Sequence, residues 1–291
     1  MCHDELPRYK WCPSFNSFCS DTRLPTAPDR ALAGAPGGTL FWNLNKGQGS
    51  ARGATRLGIL AALQNLSIGE RKTFAADFLI RLSLIGMSGA GKSHWTRKLA
   101  GAGFRAIDVD DRIERKLAPE LSANGHRGIG GVAAWMGWPD QPEYREREHK
   151  YLASEMESMC EVLDEVEASG EDGIVLDTTG SVVYTGEEIC RRMQRLTTVV
   201  YLEASPDEEL TLISRYMSDP KPVLWGDIFS QQSGELAGET VARCYPQLIA
   251  HRKQLYERYA NVTVPMARLR DTSPDARGFL EILNSQARPA R

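Results

Sequence analysis

The sequence predicts a three-layer α/β fold in which a five-stranded parallel sheet is flanked by helices. Strand-type and helix-type segments alternate from Phe78 onward, and most of the strand-type segments are short and apolar, as expected of strands covered on both faces. A glycine-rich loop also joins the first predicted strand to the first predicted helix. Because ligands collect at the carboxyl ends of parallel strands, we expect the functional residues at that edge.

The alternating pattern assigns the elements in order. The predicted strands cover residues 78–85, 104–108, 173–177, 197–202 and 261–264. The predicted helices cover residues 92–100, 143–168, 187–195 and 241–259, and two more begin at Ser205-Pro206 and at Ser273-Pro274. Ser205, Pro206 and Glu208 form a helix-start signal, with an N-cap serine, a first-position proline and a capping-box glutamate.

The glycine-rich loop fits the phosphate-binding pattern G-x-x-x-x-G-K-[ST] between Gly86 and Ser93. In such a loop the backbone N–H groups bind phosphate oxygens, Lys92 reaches the β- and γ-phosphates, and Ser93 ligates Mg²⁺. The predicted cofactors are therefore ATP and Mg²⁺. The predicted cofactor-binding residues of the loop are Gly86, Ser88, Gly89, Ala90, Gly91, Lys92 and Ser93. The alternative is an ordinary glycine-rich turn before a helix.

Composition limits the class of protein. The 291 residues are 42% hydrophobic and 25% charged, which suffices for one substantial core. A formal net charge of -3 gives no basic surface for nucleic acid or an anionic membrane, so we expect a small-molecule substrate and neither of those partners. The six cysteines form no C-x-x-C pair, which favours reduced thiols and a cytoplasmic location. The sequence leaves the oligomeric state open.

The first 75 residues differ from residues 76–291, which we predict to form the folded domain. They are scattered with Pro, Gly, Ser and Asn without sustained periodicity, so we expect a disordered or weakly ordered extension. No acidic residue lies between Arg30 and Ile68, a bias shared by transit segments of plastids and mitochondria. An organelle location is therefore the alternative. An incorrectly assigned start or splice site in the gene would produce the same composition.

Acidic residues follow two of the predicted strands. Asp108 and Asp110 come at the end of the second strand, and Asp177 closes the third. These carboxylates should share one rim with the phosphate-binding loop, where they could hold Mg²⁺ or act on a hydroxyl. Asp177 has the position usual for a metal-side acid, whereas Asp111 is better explained as a helix-starting acid.

Several ordered segments resemble shikimate kinases. The resemblance runs over roughly residues 79–264 and rests on residues 84–93, 107–114, 143–148, 221–224 and 252–256. It implies a P-loop kinase-type fold with a mobile lid. By matching positions, Asp108 would assist the metal, Asp110 would hold the substrate hydroxyls, and Arg145 and Arg252 would bind the substrate carboxylate. A solvated face of salt bridges is the alternative for Arg145.

The resemblance also covers the loops around the predicted site. The triple glycine of the family corresponds to Thr178, Thr179 and Gly180, of which only Gly180 remains for substrate binding. Residues 218–238 interrupt the periodicity with several Pro and Gly residues and predict a mobile lid, with an ordinary connecting loop as the alternative. Lys221 replaces the lid arginine of the family and would neutralise developing charge, while Arg215 is assigned to nucleotide binding.

Together these features predict phosphoryl transfer from MgATP to a hydroxyl of a small anionic metabolite, as in shikimate kinases. A nucleotide or sugar-acid kinase on the same core is one alternative. A nucleotide-binding regulatory protein that has lost turnover is the other, because the loop after the third strand has changed.

Overall fold

A computed structural model describes residues 80–286. The strands are β1 Arg81–Ile85, β2 Arg105–Asp108, β3 Ile174–Asp177, β4 Thr198–Glu203 and β5 Val262–Pro265. All pairings are parallel, in the order β2-β3-β1-β4-β5. The helices are α1 Lys92–Gly101, α2 Val109–Ala123, α3 Gly128–Met136, α4 Tyr144–Ser169, α5 Glu187–Leu196, α6 Pro206–Ser218, α7 Ala237–Tyr259, α8 Met266–Thr272 and α9 Ala276–Gln286. The predicted three-layer α/β fold is confirmed.

The alternation of side chains along β1 divides the core into two layers. Leu82 and Leu84 pack on one face with residues of α1 and α9, such as Trp95 and Phe279, whose rings stack at 4.5 Å. Ile85 joins the larger cluster on the opposite face, which includes residues of α4, α5 and α7. Because both faces are covered, most interior positions of the strands are apolar, with Ser83 of β1 and Thr263 of β5 as exceptions.

The structure agrees with most of the predicted elements and corrects others. The capping box of Ser205 and Glu208 is present at the start of α6. The prediction that the last helix opens at Ser273-Pro274 is wrong: Asp275 accepts a hydrogen bond from the Gly278 N–H, and α9 begins at Ala276. The helix that Asp111 was expected to start is α2, whereas helices α3 and α8 were not predicted.

Some sequence predictions lie wholly or partly outside the described residues. These are the extension over residues 1–75, the domain boundary at residue 76 and the first two residues of the strand predicted over 78–85. Across residues 80–286, no helix combines the length and the low charge that a membrane span requires.

Candidate active site

The phosphate-binding loop connects β1, the central strand, to α1. Its three glycines have positive φ angles of 142° at Gly86, 83° at Gly89 and 94° at Gly91. A Cβ atom at Gly86 would stand 2.8 Å from the Leu202 carbonyl oxygen of β4, so a side chain there would collide with backbone. The first turn of α1 has no side-chain cap, which leaves its N–H groups free for an anion. The loop therefore fits a bound phosphate chain.

Lys92 turns back over this loop. Its Nζ donates to the carbonyl oxygens of Gly86, at 2.9 Å, and Met87, at 3.1 Å, and the residue is only 7% exposed. Burial lowers the pKa of Lys92, and the negative charges of Asp177 and Asp110 offset part of that effect. The amine is thus held at the phosphate loop, with carboxylates nearby.

The predicted metal residues meet beside the loop. Asp108 and Asp177 are register partners at the carboxyl ends of β2 and β3, and with Ser93 they line one cleft of about 530 Å³. Burial raises the pKa of Asp177, while the Lys92 charge and a hydrogen bond from Ser93 lower it. Mg²⁺ in phosphoryl-transfer sites is usually held by one or two carboxylates together with substrate phosphates, so this donor set fits the ion. Residues 80–286 contain no cluster of three or more acidic, His or Cys ligands that would hold a metal by itself.

Asp108 and Asp110 differ in their local roles. Asp108 is the N-cap of α2 and accepts from the Asp111 N–H at 3.2 Å, while Asp111 lies in the first turn, as the helix-start interpretation requires. Asp110 is half-buried and accepts a long hydrogen bond from the Tyr151 hydroxyl at 3.5 Å. Burial raises the pKa of Asp110 to about 6, although the Lys92 charge lowers it. Such a carboxylate can accept a proton from a hydroxyl near neutral pH.

The two arginines predicted to bind the substrate differ in environment. The Arg145 side chain is 46% exposed and pairs with Glu148 at 3.2 Å and with Asp227 at 3.9 Å. Arg252 is 1% exposed, and its guanidinium donates to the carbonyl oxygens of Gly180 and Leu224 at 3.0 and 2.8 Å. The two arginines lie on different helices, α4 and α7, and have different hydrogen-bond partners.

The predicted lid segment is partly packed into the fold. Val223 and Trp225 are buried, and the Trp225 N–H donates to the Glu148 carboxylate at 2.6 Å. Lys221 pairs with Asp219 at 2.8 Å, and Arg215 lies exposed in the last turn of α6. The structure does not bring Lys221 or Arg215 into contact with the phosphate loop.

A group of polar side chains on α4 was not predicted from the sequence. The buried face of this helix carries Tyr144, Glu148, Tyr151 and Glu155 at helical spacing. Glu155 is fully buried and accepts from the hydroxyls of Thr179 and, at 2.8 Å, Ser181. The sequence does carry a signal for this group: Glu148 and Glu155 lie on the same helical face as the apolar residues Met159, Val162 and Val166.

Comparison with solved structures finds shikimate kinases. The enzyme from Acinetobacter baumannii, solved in complex with shikimate, is 24% identical, with coverage of 74% of this chain and 97% of the other and a TM-score of 0.49. The enzymes from Bacteroides thetaiotaomicron and Aquifex aeolicus are 18% and 16% identical; each match covers 71% of this chain and 97% or 95% of the other, with TM-scores of 0.45 and 0.42. No family model and no curated protein matches the chain.

Proposed function

We propose that this protein transfers the γ-phosphoryl group of MgATP to a hydroxyl of a small anionic metabolite, with shikimate as the first acceptor to test. One observation carries the proposal. A phosphate-binding loop, a lysine held against it and the carboxylates of Asp108, Asp110 and Asp177 meet at the carboxyl edge of one sheet.

MgATP would supply the transferable phosphoryl group and the charge of the metal ion. The loop N–H groups and Lys92 would hold the phosphates, and Ser93, Asp108 and Asp177 would hold the ion directly or through water. Asp110 lies at the same edge, and its carboxylate would orient the acceptor hydroxyl and take up its proton. Catalysis of this kind depends on positioning and on charge stabilisation.

For the acceptor, Arg145 is the accessible cation. A guanidinium matches a carboxylate with two parallel hydrogen bonds, so Arg145 would exchange its contacts with Glu148 and Asp227 for the substrate acid. Arg252 donates three hydrogen bonds to protein groups and would contribute its remaining N–H groups to the acid. Lys221 would reach the phosphates only after leaving Asp219.

The proposal is tested by ADP release from MgATP in the presence of shikimate, gluconate or a nucleoside monophosphate. We expect one acid to stimulate ADP release by the full-length protein and the Asp110→Asn variant to lose most of that stimulation while still binding MgADP. If no acceptor stimulates ADP release in any assay, the kinase proposal is wrong.

One observation favours a second candidate, a nucleotide-binding regulatory protein. Arg252, one of the two arginines predicted to bind the substrate, is enclosed by Gly180, Leu224 and Tyr184. Calorimetry that detects MgATP binding, together with no ADP release for any acceptor, would support this function.

A further inference from the structure

Glu155 is a buried carboxylate that the proposed reaction does not use. It lies in the middle of α4 with 0% exposure, and both of its oxygens accept hydrogen bonds from the loop after β3. The donors are the hydroxyls of Thr179 and Ser181, and the Ser181 N–H donates in turn to the Thr179 Oγ1 at 3.1 Å. A buried carboxylate with both oxygens satisfied fixes the groups that donate to it.

The same loop is held from its other side. Gly180, between the two hydroxyl residues, presents its carbonyl oxygen to the Arg252 guanidinium and to the Tyr256 hydroxyl. A Cβ atom at Gly180 would stand 3.1 Å from the Ser88 nitrogen of the phosphate-binding loop. The loop is thus positioned between Glu155, Arg252 and the phosphate site.

The contacts of Glu155 also extend toward Asp110. Tyr151 precedes Glu155 by one turn on the same face of α4, and its hydroxyl faces both Asp110 and Ser181. Glu155 is therefore linked through Ser181 and Tyr151 to the carboxylate predicted to act on the hydroxyl. Through Gly180 it is linked to the arginine predicted to hold the acid.

We propose that Glu155 is a positioning residue that fixes Asp110 and Arg252 relative to each other through the Thr179–Ser181 loop, and so determines how the anionic acceptor binds. This inference rests on the proposed function. Hydroxyls stand at two of these loop positions, and the buried acid supplies the acceptors they need.

The first test compares Glu155→Leu, which removes both acceptors, with Glu155→Gln, which keeps the shape and can still bond both hydroxyls. Glu161→Leu is the matched control, because Glu161 is an exposed acid on the same helix and contacts Lys116. With the acid that stimulates ADP release, we expect Glu155→Leu to raise the KM for the acid by about ten- to a hundredfold. The KM for MgATP should change less than about twofold, and Glu155→Gln should restore most of the affinity for the acid.

The second measurement does not depend on turnover. Hydrogen exchange of the peptide containing residues 178–181 should be about tenfold faster in Glu155→Leu than in the wild type, and unchanged in Glu161→Leu. If the wild type phosphorylates no acid, the proposed function fails, and the exchange comparison still decides whether Glu155 fixes the loop. Unchanged exchange, or an equal rise in both KM values, would overturn the inference.

A variant that does not fold can be replaced by one designed for stability. The triple variant Glu155→Leu, Thr179→Val, Ser181→Ala replaces the whole network with apolar groups, which avoids unpaired buried polar atoms. We expect it to fold and to show the same rise in the KM for the acid. If it folds with unchanged acid affinity, Glu155 does not position the acceptor site.

Discussion

At the residue scale, the environment of Lys92 differs from that of a lysine on an open loop. The motif predicts its position, but its burial and its hydrogen bonds to the Gly86 and Met87 carbonyls come from the packing of the loop. Because burial lowers its pKa, the charged amine is already partly desolvated where phosphate charge would develop.

Replacing Lys92 tests the phosphate site. We expect Lys92→Ala to reduce the rate of ADP release by at least about a hundredfold, because one preorganised charged donor is lost. The free energy of unfolding should change by less than about 1 kcal/mol, since the buried amine is disfavoured by desolvation. Lys116→Ala, which removes a half-buried lysine paired with Glu157 and Glu161, is the control. Undiminished ADP release by Lys92→Ala would contradict the assignment.

The two arginines should respond differently to the same substitution. Arg145→Lys should raise the KM for the acid by about ten- to a hundredfold, because lysine cannot form the bidentate contact. It should leave the urea midpoint nearly unchanged, since the side chain is half-exposed. Arg252→Lys should lower the free energy of unfolding by about 1 to 3 kcal/mol, because the bonds to Gly180 and Leu224 are lost. Equal stability losses in both variants would contradict this division.

Glu155 should make stability depend on pH. Burial is the main reason that its pKa rises from 4.5 to about 7; the hydrogen bonds from Thr179 and Ser181 lower the pKa, the Asp110 charge raises it and the Arg252 charge lowers it. Glu155 also interacts electrostatically with Lys92 and Tyr151. Since the folded-state value is the higher one, the contribution of Glu155 to stability is fully present below about pH 4.5 and is lost as the pH rises through about 7. The unfolding free energy of the wild type relative to Glu155→Gln should fall, by on the order of 3 kcal/mol, between pH 5 and 8. Urea titrations that give parallel pH profiles would refute this.

At the scale of elements, one face of α4 organises two parts of the site. Tyr144 and Glu148 hold the start of the predicted lid, because Glu148 accepts from the Trp225 and Gly226 N–H groups and Tyr144 donates to the Val223 carbonyl. One and two turns further along α4, Tyr151 and Glu155 interact with the loop after β3. A lid motion would therefore begin beyond these anchored residues.

Removing the Glu148 carboxylate should free this anchor. Glu148→Ala removes the acceptor of the Gly226 N–H and the nearer acceptor of the Trp225 N–H, which keeps only the Tyr144 hydroxyl at 3.3 Å, so we expect the unfolding free energy to fall by about 2 to 4 kcal/mol. Limited proteolysis should cut within residues 223–236 faster than in the wild type. Glu146→Ala, on the exposed side of the same helix, is the control. Unchanged cleavage in Glu148→Ala would show that the segment is held by other contacts.

Elements with a strong local signal were predictable from the sequence. The five apolar strands, the phosphate-binding loop and the capping box of α6 depend on neighbouring residues, and their positions are correct within a few residues. Helix α3 was not predicted because its sequence, Gly128–Met136, is rich in glycine and forms a helix through packing of Val132, Trp135 and Met136. The hydroxyl contacts of Glu155 join distant segments, which no local pattern reveals.

At the scale of the whole molecule, residues 80–286 cover both faces of the sheet with their own helices. We therefore expect a truncated protein beginning at Phe74 to fold and to bind MgADP, with a circular dichroism spectrum typical of an α/β protein. A soluble but unfolded truncated protein would show that earlier residues are needed.

The central place of β1 has a consequence for biosynthesis. This strand leaves the ribosome first among the five, yet its partners β3 and β4 follow only after the long helix α4 and, for β4, after α5 as well. The apolar strand therefore has no hydrogen-bonding neighbour while residues 86–173 are synthesised. Such nonlocal pairing slows folding and leaves an apolar segment of the nascent chain exposed. We therefore expect chaperones that bind apolar stretches to bind mainly at β1.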